Sequence, residues 1–303
     1  MKAWILAVLL MSGAAFAAAP SRHTLSSLEY LSDYNGIDEV ATLCSNYQRE
    51  FIAGAVCTDF TVDLYVVENG RGYLVMHNWN TQQRIMTQAV NDAERCLAHG
   101  ASAHLIQDSI WHNNIIPDAI TSSGFRNIPY HPLYELQDEL YLQRTDRQTV
   151  EIMKRACTLF EEKPRYADMF QNALGQQGVT NINVKERMKV MANLMGTDTF
   201  YGGSGAFSGY KDNIFYGIAQ AAASTIQTYP ADQITGGQEA TNRMHQIYAS
   251  FGDRFTCDDN FCPANPHGFE SLEQADAGAG YTQIIVIGSL LGAALIVFGR
   301  RYS

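Results

Sequence analysis

The sequence predicts an all-α protein, a single multi-helix bundle with one short β-hairpin, carrying an N-terminal signal peptide and a C-terminal transmembrane helix. Three observations predict this class. Apolar residues recur at helical spacing through most of residues 20–265, which read as one domain because no linker divides them. Only TVDLYVVENGRGYLVM, Thr61–Met76, has two β-rich runs around a turn-forming Asn69-Gly70. Both ends of the chain are apolar runs without an amphipathic pattern. An apolar share of 46% with 17% charged residues is globular rather than disordered.

At the start, Met1-Lys2 precedes the apolar Ala3–Leu10, and the small residues AAFAAA end near Ala17–Ala19. This is the pattern of a cleaved secretory signal over residues 1–18. Helical spacing then runs through SSLEYLSDY and, after the breaker Asn35-Gly36, through IDEVATLCSNYQREFIAGAV. Beyond the hairpin a long helical stretch covers about Thr81–Trp111, with a break expected at His99-Gly100. Ala98, Gly100, Ala101, Ser102 and Ala103 are small, which lets this element lie close to its neighbours in the bundle centre. The loop TSSGFRNIPY leads to Pro132, suited to a first helical position behind His131. Further helices are predicted at Arg147–Phe160, Arg165–Leu174, Val184–Leu194, Asn213–Gln227 and Gly237–Phe251, with TFYGGSGAFSGY as a loop.

Residues 266–281, including SLEQADAGAG, read as a juxtamembrane linker, 282–299 as a membrane anchor and 300–303 as a cytoplasmic tail. The apolar core of the anchor is Ile284–Gly299, which Tyr281–Gln283 extend toward the ~30 Å needed to span. Arg300-Arg301 stays inside, which puts the body at the outer cell surface. The six cysteines, Cys44, Cys57, Cys96, Cys157, Cys257 and Cys262, permit three disulfides in an exported chain, of which Cys257–Cys262 closes a small loop. Spacing does not choose the other pairings, and no CxxC suggests a cysteine metal site. A net charge of −10 argues against nucleic acid as a partner, since phosphate binding needs a cationic surface.

The chemistry lies in AHLIQDSIWHNN. His104, Asp108 and His112 are four residues apart, so a helix projects them from one face as imidazole, carboxylate, imidazole, a set that suits zinc. His131 and Glu135 repeat the spacing in HPLYELQDEL. Upstream, His77 lies in MHNWN, and Asp59 and Asp63 lie at the end of an apolar helix in AGAVCTDFTVD. A carboxylate there opposes the helix dipole, a local conflict typical of functional positions. His23 lies near the expected mature N-terminus, whose amine is also a candidate ligand, whereas His99 reads as structural and His245 and His267 as outside the site.

These residues resemble the zinc-dependent phospholipase C family, related to the fungal single-strand nucleases. HLIQD matches its His-x3-Asp motif at His104 and Asp108, His112 its later His, and His131 with Glu135 its His-x3-Glu pair. His77, before Trp79, resembles its upstream His, with Asp59 as the upstream Asp and Asp63 as the competitor. The resemblance spans about residues 50–140 and implies an all-helical enzyme with clustered zinc. Here only Ser109–Trp111 separates Asp108 from His112, a shorter spacer than in the family, and His77 is closer to His104. No Trp follows the signal peptide, so His23 is the candidate for a further ion.

The resemblance implies two or three Zn2+ ions that activate water and neutralise a phosphoryl oxygen, with Asp59 orienting or deprotonating the water. The expected function is phosphoester hydrolysis, most of all phospholipid head-group cleavage beside a membrane. A nuclease or phosphomonoesterase of the same architecture is the alternative, with Tyr73, Trp79 and Trp111 as its candidate stacking residues. A non-catalytic surface protein stabilised by metal is the other.

Overall fold

The computed structural model describes residues 20–59, 75–111, 146–180 and 182–189, with Asn242 and His245. The described residues are helical and contain no sheet. The helices are α1 (Pro20–Asp33), α2 (Glu39–Cys44), α3 (Gln48–Cys57), α4 (Trp79–Met86), α5 (Asp92–Ile110), α6 (Arg147–Cys157), α7 (Leu159–Glu162) and α8 (Pro164–Gln176). The breaker between α1 and α2 acts as expected, with Gly36 at φ 86°. Asp38 then caps α2, its carboxylate accepting from the Ala41 amide and from the buried Tyr30 hydroxyl, both at 3.0 Å.

Helices α3 and α5 form the centre, and they meet backbone to backbone. A Cβ added at Gly100 would lie 1.9 Å from the Phe51 carbonyl oxygen, and one at Gly54 would lie 2.0 Å from that of Leu97. The small residues of α5 therefore do what their size predicts. The helices run in the same direction: Phe51 faces Gly100, Ala55 faces His104, and Asp59 follows toward Asp108. A disulfide between Cys44, the last residue of α2, and Cys96 ties the helix before α3 to α5 near its start. Closing a loop over a separation of 52 residues stabilises by up to about 4 kcal/mol in the chain-entropy account.

Apolar packing surrounds this crossing on two sides. Tyr30, Leu31, Val40 and Phe51 gather with Leu105 and Ile106 against α1 and α2. Ile52, Val56 and Leu97 gather with Met153, Phe160 and Phe170 against α6, α7 and α8. The second group is tied to α3 by polar contacts. Arg49 donates to Glu162, to the Thr158 hydroxyl and to the Arg155 carbonyl, while Lys163 and Tyr166 converge on Glu50.

The long helical stretch breaks at a different place from the one expected. Helix α5 passes through His99-Gly100 without interruption, and the chain turns between Met86 and Asp92 instead. Asn91 caps α5 by accepting from the Glu94 amide, and the Glu94 carboxylate accepts from the Val90 amide. This reciprocal arrangement at a helix start resembles a capping box. Gly100 does not end the helix because the close packing it permits outweighs its backbone entropy. His99 is buried in α5, where desolvation and the charge of Arg95 push its pKa down to about 3, so it stays neutral, as a structural histidine should.

Residues 60–74, which hold nearly all of the expected hairpin, lie outside the described residues, and the last two residues of that stretch, Val75 and Met76, are helical. The signal peptide, the anchor at 282–299 and the helix predicted at 213–227 also lie outside them. No helix among the described residues is long and apolar enough to cross a membrane.

Gly100→Ala is expected to lower Tm sharply, because its Cβ meets backbone that no rotamer change relieves; overpacking typically costs about 1–3 kcal/mol. A Cβ added at Gly175 would meet nothing within 4 Å, so Gly175→Ala should stabilise α8 by about 0.5–1 kcal/mol. Thermal denaturation of the two variants side by side checks the contrast.

Candidate metal centre

The crossing carries the site. Asp59 lies two residues past the end of α3, and His104 and Asp108 are one turn apart on α5. The parallel register of the two helices brings these three residues to one level. His77 enters from the segment before α4, which is held in place on both sides. Asn78 caps α4 by accepting from the Asn80 amide, and the buried Gln82 amide donates to the Met76 carbonyl.

Four buried ligand atoms converge. His77 Nε2 and His104 Nε2 are 3.0 Å apart. Asp59 Oδ1 is 3.2 Å from each of them, and Asp108 Oδ2 is 3.3 Å from His77 and 3.1 Å from His104. Zinc with bonds of ~2.0–2.2 Å in a tetrahedron holds its ligand atoms ~3.3–3.6 Å apart, so these separations are close to those of a zinc site. Asp59, His77, His104 and Asp108 are the metal-capable group among the described residues.

The direction of the lone pairs supports the same reading. His104 Nδ1 is 2.6 Å from the Ala55 carbonyl oxygen and donates to it. The Nε2 atom of neutral His104 then turns a lone pair toward two carboxylates, an arrangement that requires a cation or a proton between them.

His23, on α1, extends the cluster. The Gln107 amide donates to the Ser27 hydroxyl at 3.2 Å, which turns the Gln107 oxygen to His23 Nδ1 at 2.5 Å. Nδ1 is therefore the donor, and Nε2 faces Asp108 Oδ1 at 3.3 Å. Asp108 thus presents one oxygen to His77 and His104 and the other to His23. The His23 ring stacks on that of His104 with centroids 4.1 Å apart.

The electrostatics follow from two carboxylates buried among imidazoles. Burial alone would lower the His104 pKa, but the charges of Asp108 and Asp59 and their hydrogen bonds raise it well above the usual 6.5. Burial also opposes protonation of His77, and hydrogen bonds to Asp108 and Asp59 outweigh it. For Asp59 burial works upward, yet the His104 charge and hydrogen bonds from both imidazoles hold its pKa below the ordinary 3.8. In the metal-free chain a proton stands where a cation would otherwise compensate the carboxylates.

Of the residues expected at the site, the fold brings Asp59, His77, His104, Asp108 and His23 together. His112, His131, Glu135 and Asp63 lie outside the described residues, as does His267. His245 is elsewhere, stacked on Tyr34 and 3.3 Å from Asp38, in agreement with its exclusion. Spacing arguments overlooked Gln107, Ser27 and the Ala55 carbonyl, which orient the imidazoles. Gln107 stands beside Asp108 in HLIQD, but nothing in its identity signals that it would meet His23 on another helix.

Metal and protons compete for the same imidazoles. Their raised pKa values give the metal-free fold a contribution that is complete below the usual 6.5 and is lost as pH rises through the higher folded values. The lowered Asp59 pKa acts oppositely, its contribution being present above 3.8 and lost as pH falls through the folded value. The increase in Tm on adding zinc should therefore grow from about pH 5.5 to about pH 8.5. Melts with and without zinc at both pH values check this, and an equal increase at both would contradict proton competition at these residues.

The model of the zinc-dependent phospholipase C family matches residues 21–177, more than half of the 303-residue chain. No curated protein and no solved structure matches the chain. The matched segment begins at α1, ends just past α8, and contains every residue of the buried cluster. On the strength of that match, which takes in both helices of the central crossing and the ligands they bring together, this chain belongs to the zinc-dependent phospholipase C family.

Proposed function

We propose that this chain is a zinc-dependent hydrolase of phosphoester bonds that cleaves phospholipid head groups at the outer surface of a membrane. The observation that carries this reading is the convergence of four buried ligand atoms from Asp59, His77, His104 and Asp108 at zinc-like separations. Family membership supports zinc as the ion and phospholipid as the substrate class. When bound, zinc supplies Lewis acidity toward a phosphoryl oxygen and lowers the pKa of water.

The chain's own residues have distinct tasks. His77 and His104 would hold the ion with Asp59 and Asp108, and the Ala55 carbonyl keeps His104 in the tautomer that binds. His23 and the second oxygen of Asp108 would begin a neighbouring cation position, with Gln107 holding the His23 ring. We assign to His112, His131 and Glu135 the remaining ligands of a cluster of two or three ions, as the family resemblance implies. Asp59 Oδ1 faces both imidazoles, and Oδ2, which has no hydrogen-bond partner among the described residues, would accept from a water. A carboxyl group held ionised is a weak base, so Asp59 orients that water more than it takes its proton.

Asp108→Asn retains size and hydrogen-bonding reach but removes an anionic ligand facing three imidazoles. Turnover of a chromogenic phosphocholine ester by the full chain in excess zinc should fall by more than the ~10–100-fold that a supporting-residue change costs. Wild-type hydrolysis of single-stranded DNA but not the ester would replace the phospholipase reading with a nuclease. Absence of hydrolysis, with a lower Tm in the variant, would leave metal as structural support alone.

We further propose export through residues 1–18 and anchoring through 282–299, with the body outside and Arg300-Arg301 inside. Protease added to intact cells should digest the body. A body protected until the cells are lysed would reject this topology.

A further inference from the structure

Cys57 and Cys157 are not joined by a disulfide in the structure, yet their sulfurs are 3.4 Å apart and both side chains are buried. They end α3 and α6, 100 residues apart in sequence. The pairing is held by its surroundings. Both residues belong to one apolar group with Val56, Met153 and Phe160, and Arg49 of α3 bonds the Arg155 carbonyl and Thr158 hydroxyl at the end of α6. Elsewhere in the bundle the chain already contains the Cys44–Cys96 disulfide.

We propose that Cys57 and Cys157 are an oxidisable pair that forms a second disulfide, linking α3 to α6. A disulfide needs its sulfurs at ~2.05 Å, so closure asks for little more than an ångström of movement, on the scale of side-chain rotation. The oxidant is a small-molecule or protein disulfide. One cysteine thiolate attacks it and releases the first external thiol; the other cysteine attacks the mixed disulfide and releases the second. Two S–H bonds and one external S–S bond are lost, and one internal S–S bond and two external S–H bonds are formed, so protons and electrons balance. Because both sulfurs are buried in the folded chain, exchange takes place while the helices assemble.

The link would fix the end of α3 two residues before Asp59. It would also enclose His77, His104 and Asp108 in the loop it closes. The link does not depend on hydrolysis and is expected to form even if no substrate is cleaved.

The test is refolding of the full chain from denaturant with zinc in a mixture of reduced and oxidised glutathione, followed by denaturation in N-ethylmaleimide and peptide mapping. The expected result is a linked Cys57–Cys157 peptide beside the linked Cys44–Cys96 peptide. In Cys157→Ala the Cys57 peptide should be recovered with maleimide or glutathione attached, while Cys44–Cys96 stays linked. Recovery of both Cys57 and Cys157 as maleimide adducts, with Cys44–Cys96 linked in the same sample, would overturn the proposal. A disulfide from Cys57 to Cys257 or Cys262 would overturn it equally.

Discussion

The structure depends on the backbone contact between α3 and α5. Gly54 and Gly100 have no room for a Cβ, and only such close approach sets the register that brings Asp59 to the level of His104 and Asp108. Helices separated by larger side chains would carry the ligand atoms farther apart, because zinc tolerates errors of only a few tenths of an ångström in its bonds. The Cys44–Cys96 disulfide ties α2, which leads into α3, to the start of α5, and the apolar groups on either side hold α3 and α5 together laterally. The metal centre is thus a consequence of how these helices cross.

That centre is costly without a cation. Two carboxylates and three imidazoles are buried together, and two imidazoles already have their Nδ1 atoms engaged as donors. Buried charge is retained only where it is paired or coordinated. The raised pKa values of His77 and His104 and the lowered one of Asp59 express the same compensation, with protons standing in for metal. Hydrogen bonds from outside the ligand set then choose the imidazole face that binds. Ala55, Gln107 and Ser27 perform this at a distance of one residue or one helix from the ligands, as supporting groups do in metal sites generally.

Much of the architecture was legible in the chain. Helical periodicity located α1, α3, α5, α6 and α8, and the small residues around Gly100 announced a close contact before any partner was known. The i, i+4 spacing of His104 and Asp108 placed both on one face, as a regular helix must. The break in the long stretch lies elsewhere because Gly100 weakens a helix by propensity, whereas Asn91 and Glu94 start α5 by hydrogen bonding. Local propensity is a weak guide wherever tertiary packing rewards the disfavoured conformation.

Sequence alone singled out Asp59, His77, His104 and Asp108 as candidate ligands and put His104 and Asp108 on one helix face, because periodicity converts spacing into direction. It could not determine that His77 faces His104, that His23 reaches Asp108 from α1, or that Cys57 meets Cys157 across 100 residues. Those pairings depend on crossing positions and on the orientation of whole helices. They arise from many apolar contacts acting together and leave no periodic trace at the residues themselves. The tertiary structure therefore decided the ligand geometry, the tautomers and the cysteine pairing, all of which are properties of distances between elements.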